Sequence, residues 1–366
     1  MDIAGRTIWQ QAAGDNDRNY VDLCLKWSLI LNGPGHLGSW PDCREPLRGE
    51  GWSARKISDL KRFCEDISEG DIVVLRLGTN LVPAVGEVVG GYEWCDAFGD
   101  VDGWVLQHVR RVRWSWIGPR TFDTYALKLG DTTQLLGDGV VRDWLALLEP
   151  NQAKGAVLPP LPYLAGGSEI DYAQISEFLF DHGVASASIS RLMDEIGELT
   201  RIARWYSRAD GKHPSEHETV AYLVVPLLRA LGWTPQRMAI EWKYLDVALF
   251  ESLPRSDETL QVVVEAKKMD NSCLSAKRQA TGYAEKRPGC RRFIVTDGIR
   301  YGVYVKMESD EFELYAYLNL SRLRDEYPIY SCHGAEEALL AMSPDWHPSK
   351  ATLGLKAVPQ ALEGRP

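Results

Sequence analysis

Two stretches carry the residue types of metal-assisted hydrolysis. One is Glu241-Trp242-Lys243-Tyr244-Leu245-Asp246-Val247-Ala248-Leu249-Phe250, centred on Asp246. The other is the triplet Glu265-Ala266-Lys267, at the end of Leu260-Gln261-Val262-Val263-Val264. Both read as strands, so two carboxylates and a lysine are expected at one end of a small sheet. Hard carboxylate oxygens suit Mg²⁺, which keeps several of its waters, and Mn²⁺ can substitute for it. One such water can attack a phosphodiester while Lys267 stabilises the negative charge that develops. Asp246 sits in an otherwise apolar run, where a lone buried carboxylate is costly without a partner or a metal. Lys267 follows Glu265 by two residues, so both side chains leave the same face of the sheet.

Other elements must position this set. Ser215-Glu216-His217-Glu218-Thr219 opens a helix that continues through Leu231 and ends at Gly232 as its C′ glycine, with Pro226 predicting a kink. Glu216 lies in the first turn, where a carboxylate suits the helix dipole; Glu218 competes with it for any role at the site. A second helix carries Gln279 and Tyr283 at i and i+4, on one face. Cations concentrate around it: Lys267, Lys268, Lys277, Arg278, Lys286, Arg287, Arg291 and Arg292. Phosphate contacts of this kind give sequence-independent affinity that falls with salt. The order from 213 to about 325 reads helix, strand, strand, helix, strand, strand.

The series Glu216, Asp246, Glu265-x-Lys267, Gln279-x-x-x-Tyr283 and Val295-Thr296-Asp297-Gly298 resembles the PD-(D/E)xK nuclease superfamily. It looks closest to the branch at the N-termini of type I restriction enzyme motor subunits and in RecB-like nucleases. The leading block, with Ser215, Glu216, Thr219, Pro226, Leu227, Leu228, Leu231, Gly232 and Trp233, is similar to the same branch. The resemblance spans about residues 213–310. It implies metal ligands at Asp246 and Glu265, Lys267 as base or charge stabiliser, and Glu216 as the leading acid. It also implies Gln279 and Tyr283 supporting the site and touching the DNA backbone. No proline precedes Asp246, a departure the family often shows.

The first 120 residues hold eight of the thirteen tryptophans. Ser53 to Ile67 has helical spacing with Ser53 as N-cap. Ile72 to Leu77 reads as a strand, Leu81 to Val89 as a bent or bulged one broken by Gly90-Gly91, and Trp104 to Trp116 as a third. Glu69-Gly70-Asp71-Ile72-Val73-Val74 with Gly86-Glu87-Val88-Val89 resembles the PUA-like fold, including EVE and YTH domains. Relatives of that fold hold a modified base in an aromatic pocket, which fits base flipping and stacking. Trp40, Trp52, Trp94 and Trp104 are the candidates, lying near turns and glycines, with core or rim packing as the competing reading of each. His108-Val109-Arg110-Arg111-Val112-Arg113 reads either as a phosphate-facing strand or as a plain solvated one.

The expected architecture is an N-terminal α+β PUA-like β-barrel domain (1–150) and an α/β restriction-endonuclease-like domain, a mixed sheet flanked by helices (213–325). Between them lie a Pro/Gly linker (151–168) and a helical connector (169–212); residues 326–366 read as an extension. The 366 residues carry a formal net charge of -10, which argues against a chain coated with non-specific DNA affinity. The seven cysteines form no CxxC pair, and the first residues lack a signal-peptide pattern, so a cytoplasmic protein with reduced thiols is expected. No Walker-type loop is present. The combined expectation is a Mg²⁺-dependent endonuclease on double-stranded DNA, directed to modified bases, with no membrane association. Cutting both strands favours a homodimer. Two alternatives stay open: an N-terminal domain that senses a nucleotide signal or RNA, and a non-catalytic nucleic-acid-binding protein.

Overall fold

The computed structural model describes residues 1–347 except 15–17, 124–126, 128, 129, 138, 154, 156, 166, 167, 209–212, 308 and 309. The chain divides into two compact units, Met1–Tyr163 and Leu164–Pro366, so the break falls inside the expected linker. Both are mixed α/β. No helix of the described residues is long and apolar enough to cross a membrane.

The first unit is built on β1 (Ile8–Ala12), β2 (Leu29–Asn32), β3 (Ile72–Leu77), β4 (Leu81–Trp94), β5 (His108–Thr121) and β6 (Thr133–Leu135). They form one sheet in the order β2-β5-β4-β3-β1-β6, with β1 and β3 parallel and the other neighbours antiparallel. The helices are α1 (Val21–Trp27), α2 (Arg44–Gly49), α3 (Ala54–Lys61) and α4 (Gly139–Leu147). Ser53 caps α3 as expected, its hydroxyl accepting from the Lys56 backbone N–H at 3.2 Å. The helical path then runs on as a π turn over Arg62–Asp66 that buries Phe63 and Cys64. The β-branched run of β3 is buried on both faces, and Ile72 and Val74 pack with Ile8, Val82 and Val85 beneath Val141 and Leu145 of α4. β4 is bulged near Pro83 and Gly86. It does not stop at Gly90-Gly91: the register shifts between Val88 and Tyr92 and the strand continues to Trp94. Gly90, at φ +87°, absorbs the extra length in a backbone region open to glycine.

The second unit contains α5 (Tyr172–Asp181) and α6 (Ser186–Arg208), then α7 (Glu216–Thr219) and α8 (Val225–Ala230) joined by a π turn over Val220–Val224. Pro226 stands in the first turn of α8. Its missing N–H would interrupt a regular α-helix, and the wider turn before it takes up the mismatch. The eight strands are β7 (Met238–Trp242), β8 (Leu245–Phe250), β9 (Leu260–Ala266), β10 (Arg292–Thr296), β11 (Arg300–Lys306), β12 (Phe312–Asn319), β13 (Glu326–Tyr327) and β14 (Cys332–His333). With α9 (Lys277–Ala284) between β9 and β10 and α10 (Ala335–Met342) at the end, they form a sheet ordered β13-β14-β12-β11-β10-β9-β8-β7. β9/β10 and β12/β14 are the parallel pairs.

Opposite sheet faces build different cores. Val247, Leu249, Val262, Val264 and Ile294 join residues of α5, α6, α8 and α10. Ala248, Phe250, Val263 and Phe293 face Ala280 and Ala284 of α9. The segment expected as a connector is therefore part of the core, through Ile189, Leu192, Ile196 and Leu199. Residues 326–347 likewise complete the sheet and cover it, and do not hang off it as an extension. The stretch 241–250, read as one strand, contains the turn between β7 and β8.

Candidate active site

β8 and β9 run antiparallel with Val247 opposite Val264 and Ala248 opposite Val263. The next step in that register sets Asp246 opposite Glu265. The Asp246 carboxylate accepts the Ala266 backbone N–H at 2.7 Å, which fixes one of its oxygens. On the other side β10 pairs Val295 with Glu265, and the Lys267 N–H donates to Thr296 O at 2.7 Å, one residue past the ladder. Parity then places Asp246, Glu265 and Lys267 on the α9 side of the sheet. There Lys267 Nζ donates to Glu265 Oε1 at 3.2 Å and to Gln279 Oε1 at 3.3 Å, and Gln279 Nε2 reaches the Tyr283 hydroxyl at 3.5 Å. Five residues predicted from sequence thus converge.

Glu265 is only 2% exposed, and its Oε2 is buried without a hydrogen-bond partner among the described residues. Burial first, then the Asp246 charge, pushes its carboxyl up to about 7; Lys267 opposes this and Glu216 adds to it. Like charges placed opposite each other in a sheet destabilise it unless something compensates them. No group of three or more His, Cys, Asp or Glu able to hold a metal occurs among the described residues.

Glu216 is half-buried and close enough for its charge to act on Glu265. Glu218 is occupied elsewhere. Its carboxylate accepts from the Ser215 N–H at 2.7 Å and hydroxyl at 2.8 Å, closing a capping box that holds its pKa low. Thr219 ties this helix to the site, since the Met269 N–H donates to its hydroxyl at 3.3 Å.

Asp297 has a role that sequence reasoning missed. Fully buried, it accepts from the N–H groups of Asp270, Ile299 and Arg300 at 3.1, 3.1 and 2.7 Å, and from the Arg300 guanidinium. This clamps the loop that follows Lys267, where Asp270 is held at φ +68°. The signal was present as an acid between Thr296 and Gly298, but an Asp-Gly pair reads first as a turn.

The cation cluster divides. Lys268, Lys277, Arg278, Lys286 and Arg291 are exposed. Arg287 and Arg292 are buried and do not belong to a phosphate-facing surface: Arg287 donates to Tyr283 O at 2.6 Å, and Arg292 donates to Ala341 O and Ser343 O and stacks on Trp346.

In the first unit, a cavity of about 440 Å³ is lined by Tyr20, Asn32, Pro34, Trp52, Lys56 and Trp104 among others. Trp52 is 40% exposed and bonds Glu50 through Nε1 at 3.2 Å; Trp104 packs edge-on against Tyr20 at 5.5 Å, with Arg18 over its ring. Trp40 and Trp94 do not line it. Trp40 is buried with Nε1 on Glu65, and Trp94 Nε1 is bonded to Gly35 O. At the cavity wall, Lys56 Nζ is bonded to Asn32 Oδ1 (2.9 Å), Asp59 Oδ2 (2.8 Å) and Thr132 Oγ1 (3.3 Å). Of the cations in the His108–Arg113 strand, Arg113 is exposed while His108, Arg110 and Arg111 are engaged within the unit. His108 is buried between Tyr92 and Pro34 O with its pKa pushed down to about 4, Arg110 serves the Phe63 and Cys64 carbonyls, and Arg111 serves those of Ser28 and Pro159.

Residues 37–135 match a family described as a domain of unknown function (DUF8426). No curated protein and no solved structure matches the chain.

Proposed function

We propose that this chain is a Mg²⁺-dependent DNA endonuclease of the PD-(D/E)xK type, directed to base-modified double-stranded DNA by a PUA-like N-terminal unit. The observation that carries the reading is the Glu265 carboxylate. It is buried opposite Asp246, has one oxygen unpartnered, and has a lysine tethered between it and Gln279. A buried carboxylate with a raised pKa, set opposite a second carboxylate, is what a divalent cation would relieve, so the donor set fits the ion. When bound at Asp246 and Glu265, Mg²⁺ supplies Lewis acidity and an acidified water.

The remaining work falls to side chains. Lys267 holds a positive charge where charge builds on a phosphate, and Gln279 fixes its ammonium so that little reorganisation is needed. Tyr283, through Gln279, sets the outer edge of that chain and offers a hydroxyl to the DNA backbone. Glu216 adds negative potential at Glu265. In the first unit, Trp52 and Trp104 offer aromatic faces to a base taken out of the stack. The cavity suits a neutral ring better than a phosphorylated signal, because the three donors of Lys56 at its wall are already engaged.

The test is incubation with Mg²⁺ of phage DNAs carrying different base modifications, beside unmodified DNA. Cutting is expected for at least one modified DNA and weaker for the unmodified one. Asp246→Ala and Lys267→Ala should each lose cleavage by at least about 10²-fold while binding persists. Undiminished cutting in either variant rejects the site; equal cutting of all DNAs rejects the reader.

A further inference from the structure

The turn between β7 and β8 has a geometry at odds with its residues. Trp242 pairs with Leu245, leaving a two-residue loop of Lys243 and Tyr244. Both have positive φ, +47° and +72°, as a type I′ turn requires. That turn strongly favours Asn-Gly or Asp-Gly, because a Cβ is strained in the left-handed region. Glu241, just before it, is also at φ +52° and is skipped by the β7–β8 ladder. Three non-glycine residues are thus held in an unfavourable conformation within one hairpin tip.

The tip is braced. Lys243 Nζ bonds Asp257 Oδ2 at 2.7 Å and lies over the Trp242 ring, while Glu241 pairs with His217 at 3.2 Å, beside Glu216. What this bracing holds out is Tyr244, 90% exposed. Asp246 is two residues further along, roughly 7 Å at strand rise, which matches about two nucleotide steps of a DNA strand. Strain maintained by surrounding contacts at the edge of a site is a mark of function, since an unconstrained surface turn would relax to a cheaper residue.

We infer that the Lys243–Tyr244 tip is a DNA-contacting element in which the Tyr244 ring packs on a deoxyribose about two nucleotides from the phosphate at Asp246 and Glu265. This rests on the nuclease reading for the identity of the partner. An aromatic ring is suited to such a contact because its apolar face can pack on the sugar of any nucleotide, so the contact tolerates any sequence.

The experiment measures duplex affinity by fluorescence anisotropy in a Lys267→Ala background, with and without Tyr244→Ala, Tyr244→Phe or Tyr244→Gly, and cleavage by the parent chain in parallel. Tyr244→Ala and Tyr244→Gly should weaken binding about tenfold, the size of one lost apolar ring contact, while Tyr244→Phe binds as the parent does. Tyr244→Gly should leave Tm unchanged or raise it, because glycine accepts the positive φ and the ring supports nothing in the fold. Unchanged affinity in Tyr244→Ala overturns the inference. If the parent chain binds DNA without cutting it and Tyr244→Ala still weakens binding, the nuclease reading falls and this contact stands. If the parent cuts and Tyr244→Ala binds equally well, this contact alone falls. Absence of any DNA binding removes both.

Discussion

One step past the β8–β9 pair of Val247 and Val264, the register sets Asp246 opposite Glu265, and one Asp246 oxygen is held at 2.7 Å by the N–H of Ala266, the residue next to Glu265. The two carboxylates are therefore positioned by backbone pairing and not by flexible side-chain choice. Burial first, then the Asp246 charge, drives the Glu265 carboxyl up to about 7.

A pH signature follows. In the folded chain Glu265 titrates near 7, above the ordinary 4.5 expected when unfolded. The folded state binds the proton more tightly, so this group's stabilisation is fully present below about pH 4.5 and is lost as pH rises through about 7. The loss is on the order of 3 kcal/mol for metal-free protein. Glu265→Gln should remove that component from a Tm-versus-pH profile. Mg²⁺ should raise Tm more above pH 7 than near about pH 5, because the cation needs the ionised carboxylate. A Mg²⁺ response independent of pH, or one retained in Asp246→Ala, would contradict the assignment.

Glu216 and Glu218 should separate cleanly. Glu216→Gln removes a charge that acts on Glu265, so cleavage should fall and the Glu265 titration should move to lower pH. Glu218→Ala removes half of the capping box with Ser215, so Tm should drop slightly while cleavage at a permissive temperature is retained. Comparing Tm and rate for the two variants checks both; the reverse pattern would make Glu218 the leading acid.

Asp297→Ala should destabilise the second unit by about 3–5 kcal/mol, because it leaves the Arg300 guanidinium buried beside an absent partner. The double replacement Asp297→Leu with Arg300→Met should cost less than the single one. Denaturant unfolding measures both, and additive losses would show that the pair acts separately.

In the first unit, Trp52→Ala should narrow the difference between modified and unmodified DNA with little change in Tm, since the residue is 40% exposed and lines the cavity rather than the core. Trp40→Ala should instead cost about 3–5 kcal/mol of stability, as expected for a buried aromatic. Cleavage ratios and melting curves distinguish the two outcomes.

Much of the site was readable because it depends on period-two parity and i, i+4 spacing. Glu265 and Lys267 share a face, Gln279 and Tyr283 share another, and both patterns are local. β3 was equally plain, as a β-branched run after Gly70-Asp71. What could not be read depends on partners far along the chain. The pattern of α6 marks a buried stripe but not which sheet buries it. β13 and β14 are two residues each, too short for any period to register. The β7–β8 turn was hidden because Lys243-Tyr244 stands where Asn-Gly would have announced it. Arg292 reads as a surface cation, and only the Ala341 and Ser343 carbonyls and the Trp346 ring make its burial tolerable.

The facing of Asp246 and Glu265 also determines which changes in length the chain can absorb. Adding residues between Glu251 and Thr259 only enlarges a connecting loop, at a cost that grows slowly with size. Adding one residue inside β8 exchanges the faces of every side chain on one side of the insertion, so that Val247 would stand where Asp246 does now. The site is accordingly either assembled or absent, with no half-aligned form between, while the loop that joins its two strands can grow without disturbing it.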